Sequence, residues 1–377
     1  MEVNFDIYSV LLLLGSFQGV LFFLLLLVRG LRSHSLSDGL MGTLLLLLVV
    51  QIFPFMISFM GSSLIWSDLL FFPFDIGLLL GPVIYFYLKS QTNAEFRLQK
   101  RDLLHALPYV IYVAYHLSIF VQGKQYVQYW LANVHLSYNV PMIFGCAVLL
   151  SNYFYLFLAM RYYGEFRQWL EAEFSNAKEL SLRWYRNFLL LALCGITLSW
   201  GFYLISSLGV NLTYTQSWWE YVFISAIIYV LSIAAYNQPQ VVYLRFKPSE
   251  LPKPEENKLA LPAAEMEVMG AQVLQQFLDR KLYLNPKLTL SQMAADLSIN
   301  SNLLSQLINT VFGKNFNQFV NDYRIEEFKK EARKPDNRHL SLLAIAMNCG
   351  FNSKATFNRV FKNASGLSPK EYLNSAP

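Results

Sequence analysis

The chain has 377 residues, of which 55% are hydrophobic, 16% aromatic and only 15% charged. Soluble domains carry about 25% charged residues, so a chain exposed to water along its whole length is excluded. The net charge of +5 is confined to one end: residues 1–236 hold 12 basic and 12 acidic residues, residues 237–377 hold 18 and 13, which suits the C-terminal part to a polyanion or an anionic membrane surface.

Apolar runs long enough to cross a bilayer lie at 8–28, 40–60, 68–88, 106–122, 139–160, 188–208 and 219–236. About 20 residues at roughly 1.5 Å rise cover the hydrocarbon core. The first run reads as a retained span, because Glu2 and Asp6 precede it in place of a basic region and it is too long for a cleaved signal. Loop charges set the orientation. Loops 29–39, 89–105 and 161–187 carry 11 Lys and Arg, whereas loops 61–67, 123–138 and 209–218 carry only Lys124. The basic loops belong inside, which puts the N-terminus outside and the C-terminus in the cytoplasm, on a multi-pass protein of the inner (plasma) membrane. Trp66, Trp130, Trp218 and Trp219 then fall at outer ends, and Tyr109, Tyr162, Tyr163 and Tyr236 at inner ends, as an aromatic belt or as packing between helices.

Asp75 falls about seven residues into the third run, beside Gly77, Gly81 and Pro82. An ionisable group ~10 Å into hydrocarbon is a candidate for sensing. His116, in the fourth run, is its candidate partner from the same outer half. The other reading of Asp75 is a helix-packing hydrogen bond. Cys146, Cys194 and Cys349 are far apart, with no CxxC or Cys/His cluster, so they read as small packing residues, with no disulfide framework, metal site or cofactor expected. No HExxH, GxSxG or P-loop occurs, and His34, His105, His116, His135 and His339 are scattered; an enzyme is not expected. Loop 161–187 mixes Phe166, Trp169, Leu170 and Phe174 with charges at helical spacing. It either lies on the inner membrane surface or extends spans five and six into the cytoplasm.

Residues 237–264 read as a linker. Pro239, Pro248, Pro252, Pro254 and Pro262 interrupt helices, while Glu250, Lys253, Glu255, Glu256 and Lys258 keep it solvated. A flexible chain of that length spans about 30 Å.

Residues 265–284 read as one amphipathic helix on Met266, Met269, Val273, Leu274, Phe277, Leu278 and Leu282. A repeat follows. Leu290–Leu297, a turn and Ser301–Asn309 make one copy; Ser341–Asn348, a turn at Cys349–Asn352 and Ser353–Lys362 make the other. Ala294 and Ala346 are 52 apart, whereas Leu304 and Phe357, Gly313 and Gly366, and Phe319 and Tyr372 are 53 apart, so the second turn holds one extra residue. A small Ala lets paired helices cross closely. Gly350 suits a positive φ, and Asn300 and Asn352 or Ser353 are candidate caps. The segment 316–334 reads as a helix joining the copies.

The run Gly350-Phe351-Asn352-Ser353-Lys354-Ala355-Thr356-Phe357-Asn358-Arg359-Val360-Phe361-Lys362, followed by Gly366-Leu367-Ser368-Pro369-Lys370-Glu371-Tyr372, resembles the signature of the AraC/XylS family of bacterial transcription regulators. Leu304–Asn309 with Phe312–Phe316 resembles the first half of the same domain, and the resemblance covers about 268–377. The front half resembles a membrane-embedded branch of the family and not its sugar-binding barrel. The resemblance implies that the second helix of each copy enters the major groove of double-stranded DNA. It places Asn302, Ser305, Gln306 and Asn309, then Lys354, Ala355, Thr356 and Arg359, toward bases, with Asn358, Lys362 and Lys314 toward phosphate. Arg359 suits guanine, Gln306 and Asn309 adenine, and Thr356 a thymine methyl. A homodimer and RNA polymerase are the implied protein partners.

The expected architecture is all-α: a seven-helix transmembrane bundle (1–236), a linker (237–264) and a cytoplasmic double helix-turn-helix domain (265–377). The expected function is a membrane-embedded DNA-binding transcription regulator that senses an unidentified signal ligand through its front half. One rival is a transporter or membrane enzyme with an autoregulatory tail, which paired acids lining a midplane cavity would favour. The other is a front half that only anchors the regulator.

Overall fold

The structure is a computed structural model that describes residues 6–59, 69–177, 183–207, 214–237, 244–248 and 262–375. Trp66, Lys178 and most of the expected linker lie outside the described residues. The chain divides into two compact units, Met1–Tyr163 with Trp184–Arg245, and Gly164–Arg183 with Phe246–Pro377.

The first unit contains α1 (Ile7–Ser33), α2 (Leu36–Phe59), α3 (Gly77–Thr92), α4 (Leu107–Phe120), α5 (Lys124–Trp130), most of α6 (Val140–Glu173), α7 (Arg183–Ser207) and α8 (Tyr214–Tyr236). Asp6 opens α1 with a capping box, satisfying N–H groups that the first turn leaves unpaired. Helices α1, α2 and α8 pack together. Small residues permit the approach: a Cβ on Gly15 would lie 2.6 Å from Ser225 Cβ. At the far end Arg29 forks onto Asp38 at 2.7 and 2.8 Å and donates to the Tyr236 carbonyl at 2.6 Å. One basic residue thus ties three helix ends. The outer faces are apolar; Phe17, Leu150 and Phe157 are each more than 60% exposed. Soluble proteins rarely leave apolar surface of this extent uncovered.

Among the described residues, six helices are long and apolar enough to cross a membrane: Ile7–Ser33, Leu36–Ser58, Lys100–Phe120, Val140–Glu173, Trp184–Ile205 and Gln216–Tyr236. The third predicted run, 68–88, is the exception. Residues 69–76 are non-helical and α3, at 16 residues, starts only at Gly77. Phe71 takes a left-handed φ of 72°, and Pro73 has no N–H to continue a helix. Asp75 therefore precedes α3 and does not lie two turns within it; its Oδ1 accepts the Gly77 N–H at 2.7 Å. The aromatic assignments also divide. Trp219 is exposed, but Trp218 is buried and donates its Nε1–H to the Tyr8 carbonyl at 2.9 Å. Tyr162 is likewise buried, with its hydroxyl 3.0 Å from that of Thr92.

The second unit carries α9 (Ala263–Asp279), α10 (Leu290–Asp296), α11 (Ser301–Val311), α12 (Phe316–Glu331), α13 (Leu342–Asn348), α14 (Lys354–Ser365) and α15 (Pro369–Ser375). Side-chain caps from Thr289, Asn300, Asn315, Ser341 and Ser353 start five of them. Ser353, not Asn352, caps α14; Asn352 instead donates to the Pro286 carbonyl at 2.9 Å. The amphipathic helix expected at 265–284 stops at Asp279, and a 3-10 turn covers Leu282–Leu284.

The long helix α12 builds two cores. Phe316, Phe319 and Val320 join Val273, Phe277, Leu304 and Leu307. Ile325 and Phe328 join Ile345, Ala346, Phe351, Phe357 and Phe361. Each copy thus has its own core, and one rigid helix fixes the spacing of both. Ala294 and Ala346 are almost wholly buried where their helices cross. Cys349 is buried in the second core, and burial pushes its thiol up to about 12, so it packs as an uncharged apolar group. Among the other cysteines, Cys194 is exposed.

Gly350 has φ 92°, and a Cβ there would lie 2.5 Å from the Tyr283 carbonyl oxygen and 2.9 Å from Arg324 Nε. Gly350→Ala should therefore destabilise the C-terminal domain by at least roughly 2 kcal/mol, combining a left-handed backbone with a backbone clash. Urea unfolding of a 262–375 fragment measures this; equal stability of wild type and variant would contradict the packing described.

Candidate nucleic-acid interface and the cavity of the first unit

Helix α11 buries Leu304, Leu307 and Ile308 and exposes Asn302 and Asn309, with Ser305 half-buried between them. Gln306 is placed otherwise. Its amide nitrogen lies 3.8 Å from Met266 Sδ on α9, so its side chain is engaged within the domain. Helix α14 buries Phe357 and Phe361 and exposes Lys354, Ala355, Asn358 and Lys362, with Arg359 half-buried on the same outward side. Thr356, expected to meet a thymine methyl, is 8% exposed, with its hydroxyl 3.2 Å from the capping hydroxyl of Ser353. Its place is at the helix start and not on the outward face. Lys314, expected at phosphate, is ion-paired with Asp322 at 2.6 Å. Neither α11 nor α14 contains an acidic residue, and all three cations on the two helices are on α14. The outward face therefore offers an amide-and-hydroxyl surface in one copy and a basic one in the other.

A buried polar network holds the copies in register. Arg324, on α12, is 1% exposed. Its Nε donates to the Tyr283 carbonyl at 2.7 Å, its Nη2 to the Asn285 carbonyl at 2.7 Å and to Ser175 Oγ at 3.1 Å, and its Nη1 to Asn321 Oδ1 at 3.3 Å. Ser175 belongs to the segment 164–183, far from the domain in sequence. Its carbonyl accepts from Asn317 at 2.6 Å and Asn321 at 3.0 Å, and its N–H and hydroxyl reach the Leu288 carbonyl at 3.3 and 2.9 Å. Phe174 bridges Thr289, and Glu173 accepts the Ser291 N–H at 3.2 Å. Beside this contact Phe166 and Trp169 pack on Phe246 at 5.6 and 5.5 Å between ring centroids. Within loop 161–187, α6 runs on to Glu173.

These partners were missed in the sequence. The available signal was the spacing of Asn317, Asn321 and Arg324, which makes a polar stripe beside the apolar face of α12.

In the first unit Asp75 and His116 line one cavity of about 1100 Å³, together with Glu220, Asn152, Tyr112 and His135. The two expected partners share this space without bonding each other: His116 Nδ1 lies 3.3 Å from the Phe71 carbonyl. His116 and His135, scattered in sequence, have rings 6.1 Å apart, and both pack against Phe71. Trp130 donates to Tyr115 Oη at 3.1 Å, which lies 3.1 Å from His135 Nδ1. Glu220, near the start of α8, was not singled out in the sequence; it is the acidic residue within the seventh run.

Comparison with known proteins bears on the second unit. Residues 293–375 match a family described as a helix-turn-helix domain, of the AraC type. The chain is also similar to uncharacterized HTH-type transcriptional regulators of Staphylococcus aureus strains COL, MSSA476 and N315. Each is 30% identical over 97 residues, 26% of this chain and 13% of the relative. The match thus spans about an eighth of the relatives' length. No solved structure matches the chain. The C-terminal part carries a helix-turn-helix domain.

If Ser175 is held as described, its amide should exchange slowly with deuterium in the full chain. Replacing both Asn317 and Asn321 by Ala removes the donors to its carbonyl and should speed exchange across 174–177 by about tenfold or more, for a local opening eased by ~1.4 kcal/mol or more. Hydrogen exchange read by mass spectrometry would contradict the docking if that segment exchanged rapidly in the wild type.

Proposed function

We propose that the chain is a membrane-embedded regulator of transcription that binds promoter DNA through α11 and α14 in adjacent major-groove segments and responds to a signal received by its apolar helices. The observation that carries the DNA-binding part is the paired helix-turn-helix copies on one helix, each with an acid-free outward face. Charge attraction concentrates at α14, through Lys354, Arg359 and Lys362. The half-site read by α11 depends on hydrogen bonds from Asn302, Ser305 and Asn309.

The membrane part rests on six apolar helices with exposed hydrophobic faces and on the loop charges. We count α3 with its irregular lead-in 69–76 as a seventh crossing. Non-helical backbone at membrane depth is tolerated where it lines a cavity, and Phe74 and Asp75 do line one. The N-terminus is then outside and the helix-turn-helix domain cytoplasmic, in the plasma membrane. The segment around Ser175 continues directly from α6, so a shift in that helix acts on α12 and the spacing of the two recognition helices. A second copy and RNA polymerase complete the assembly at a promoter.

One observation favours a second reading. Asp75 and Glu220 line the same cavity, as in a transporter whose tail regulates its own expression. Substrate flux in proteoliposomes would select that reading; ligand binding without flux selects the sensor.

Reporter fusions test the topology. Fusions within 123–138 should report outside, and fusions within 89–105 and after residue 375 inside. A tail accessible from outside intact cells would overturn the regulator.

Two variants of α14 test the interface. Arg359→Ala should cost about 1–3 kcal/mol on the cognate site and relax preference at one base pair. Lys362→Ala should weaken all sequences alike and lower the salt slope by about one. Binding-site selection reads both. Identical base preferences in both variants and the wild type would make Arg359 a phosphate contact only.

A further inference from the structure

We propose that the cavity of the first unit binds an apolar ligand carrying a protonated amine, a proposal that rests on reading that unit as the sensor. The cavity measures about 1100 Å³, at the upper end of small-molecule sites, which run to roughly 1,000 Å³. Its wall comes from α2, α3, α4, α6, α7 and α8 and is mainly aliphatic and aromatic. That surface suits an apolar body.

The polar groups of the wall choose the headgroup. Asp75 is exposed on the cavity wall; its Oδ1 holds the Gly77 N–H, and among the described residues its Oδ2 has no hydrogen-bond donor. Asn152 is 4% exposed, and its Oδ1 has no partner among the described residues. His116 faces a carbonyl through Nδ1, which must donate there, so the neutral ring keeps Nε2 as an acceptor. Tyr115 Oη takes the Trp130 N–H and lies 3.1 Å from His135 Nδ1. Glu220 adds a second carboxylate, hydrogen-bonded by Ser199. The unmet groups are acceptors, and Asp75 among them is an acid. Among the described residues the lining contains no Lys or Arg. A carboxylate in apolar surroundings is costly without a cation, and the protein supplies none here. An anionic ligand would meet two carboxylates and no positive group. A neutral apolar ligand would leave the acceptors unmet. An ammonium offers N–H donors and charge at once.

The test uses the full chain in nanodiscs and a matched set of probes: 4-phenylbutylamine, 4-phenylbutanol and 4-phenylbutanoate. Thermal unfolding is followed by tryptophan fluorescence. The amine should raise the unfolding midpoint in a saturable way, with the alcohol and the carboxylate giving little or no shift. Asp75→Asn and Glu220→Gln should each weaken the amine effect by about tenfold, the loss of one charge contact. Equal shifts from alcohol and amine, a larger shift from the carboxylate, no shift from any probe, or an amine effect unchanged in both variants would each overturn the proposal. If a variant fails to fold, the probe set on the wild type still decides. A promoter reporter separates the two readings. Amine binding without a change in expression sinks the sensor and leaves the site, whereas the loss of amine selectivity with regulation intact sinks the site alone.

Discussion

A guanidinium can be buried only where acceptors meet its five N–H groups, and that demand organises the second unit of this protein. Arg324 meets it with the carbonyls of Tyr283 and Asn285, the amide of Asn321 and the hydroxyl of Ser175. Those acceptors come from the lead-in to the first copy, the joining helix and the segment that follows α6. Gly350, at the turn of the second copy, lies close against the same guanidinium. One side chain therefore touches every part whose relative placement sets the distance between α11 and α14. Nothing apolar of similar size could replace it, because the carbonyls would be left unpaired.

The first unit differs: several of its polar groups face a cavity, among them the Asn152 Oδ1, which has no partner among the described residues. The carboxylates of Asp75 and Glu220 share its wall with Asn152 and His116. At the ends of the helices the chemistry is again closed: Arg29, Asp38 and the Tyr236 carbonyl tie α1, α2 and α8.

Much of this was legible in the sequence because it depends on periodicity and local chemistry. The repeat, its one-residue offset, the positive φ at Gly350 and the Ser, Thr and Asn caps follow from residue type at fixed spacing. The faces of α11 and α14 followed nearly as well. Thr356 failed because a residue three places after a Ser cap is drawn into the cap, and Gln306 because Met266 of another helix claims its amide. The irregular start of the third run was hidden for a different reason. Hydropathy sums over 68–88 ignore that Pro73 and a left-handed Phe71 break the backbone. The Ser175 contact was illegible because it joins residues more than a hundred positions apart, and the convergence of Glu220 on Asp75 is likewise tertiary.

On the function proposed above, a membrane-embedded sensor and a promoter reader share one chain, with the reader on the cytoplasmic face. The most direct test is DNA capture by sealed membrane vesicles of defined sidedness that carry the full chain. Inside-out vesicles should retain labelled promoter DNA, with retention falling steeply as salt rises because phosphate contacts release counterions. Right-side-out vesicles from the same cells should retain none until they are opened. Retention by sealed right-side-out vesicles, or by neither kind at low salt, would contradict the account.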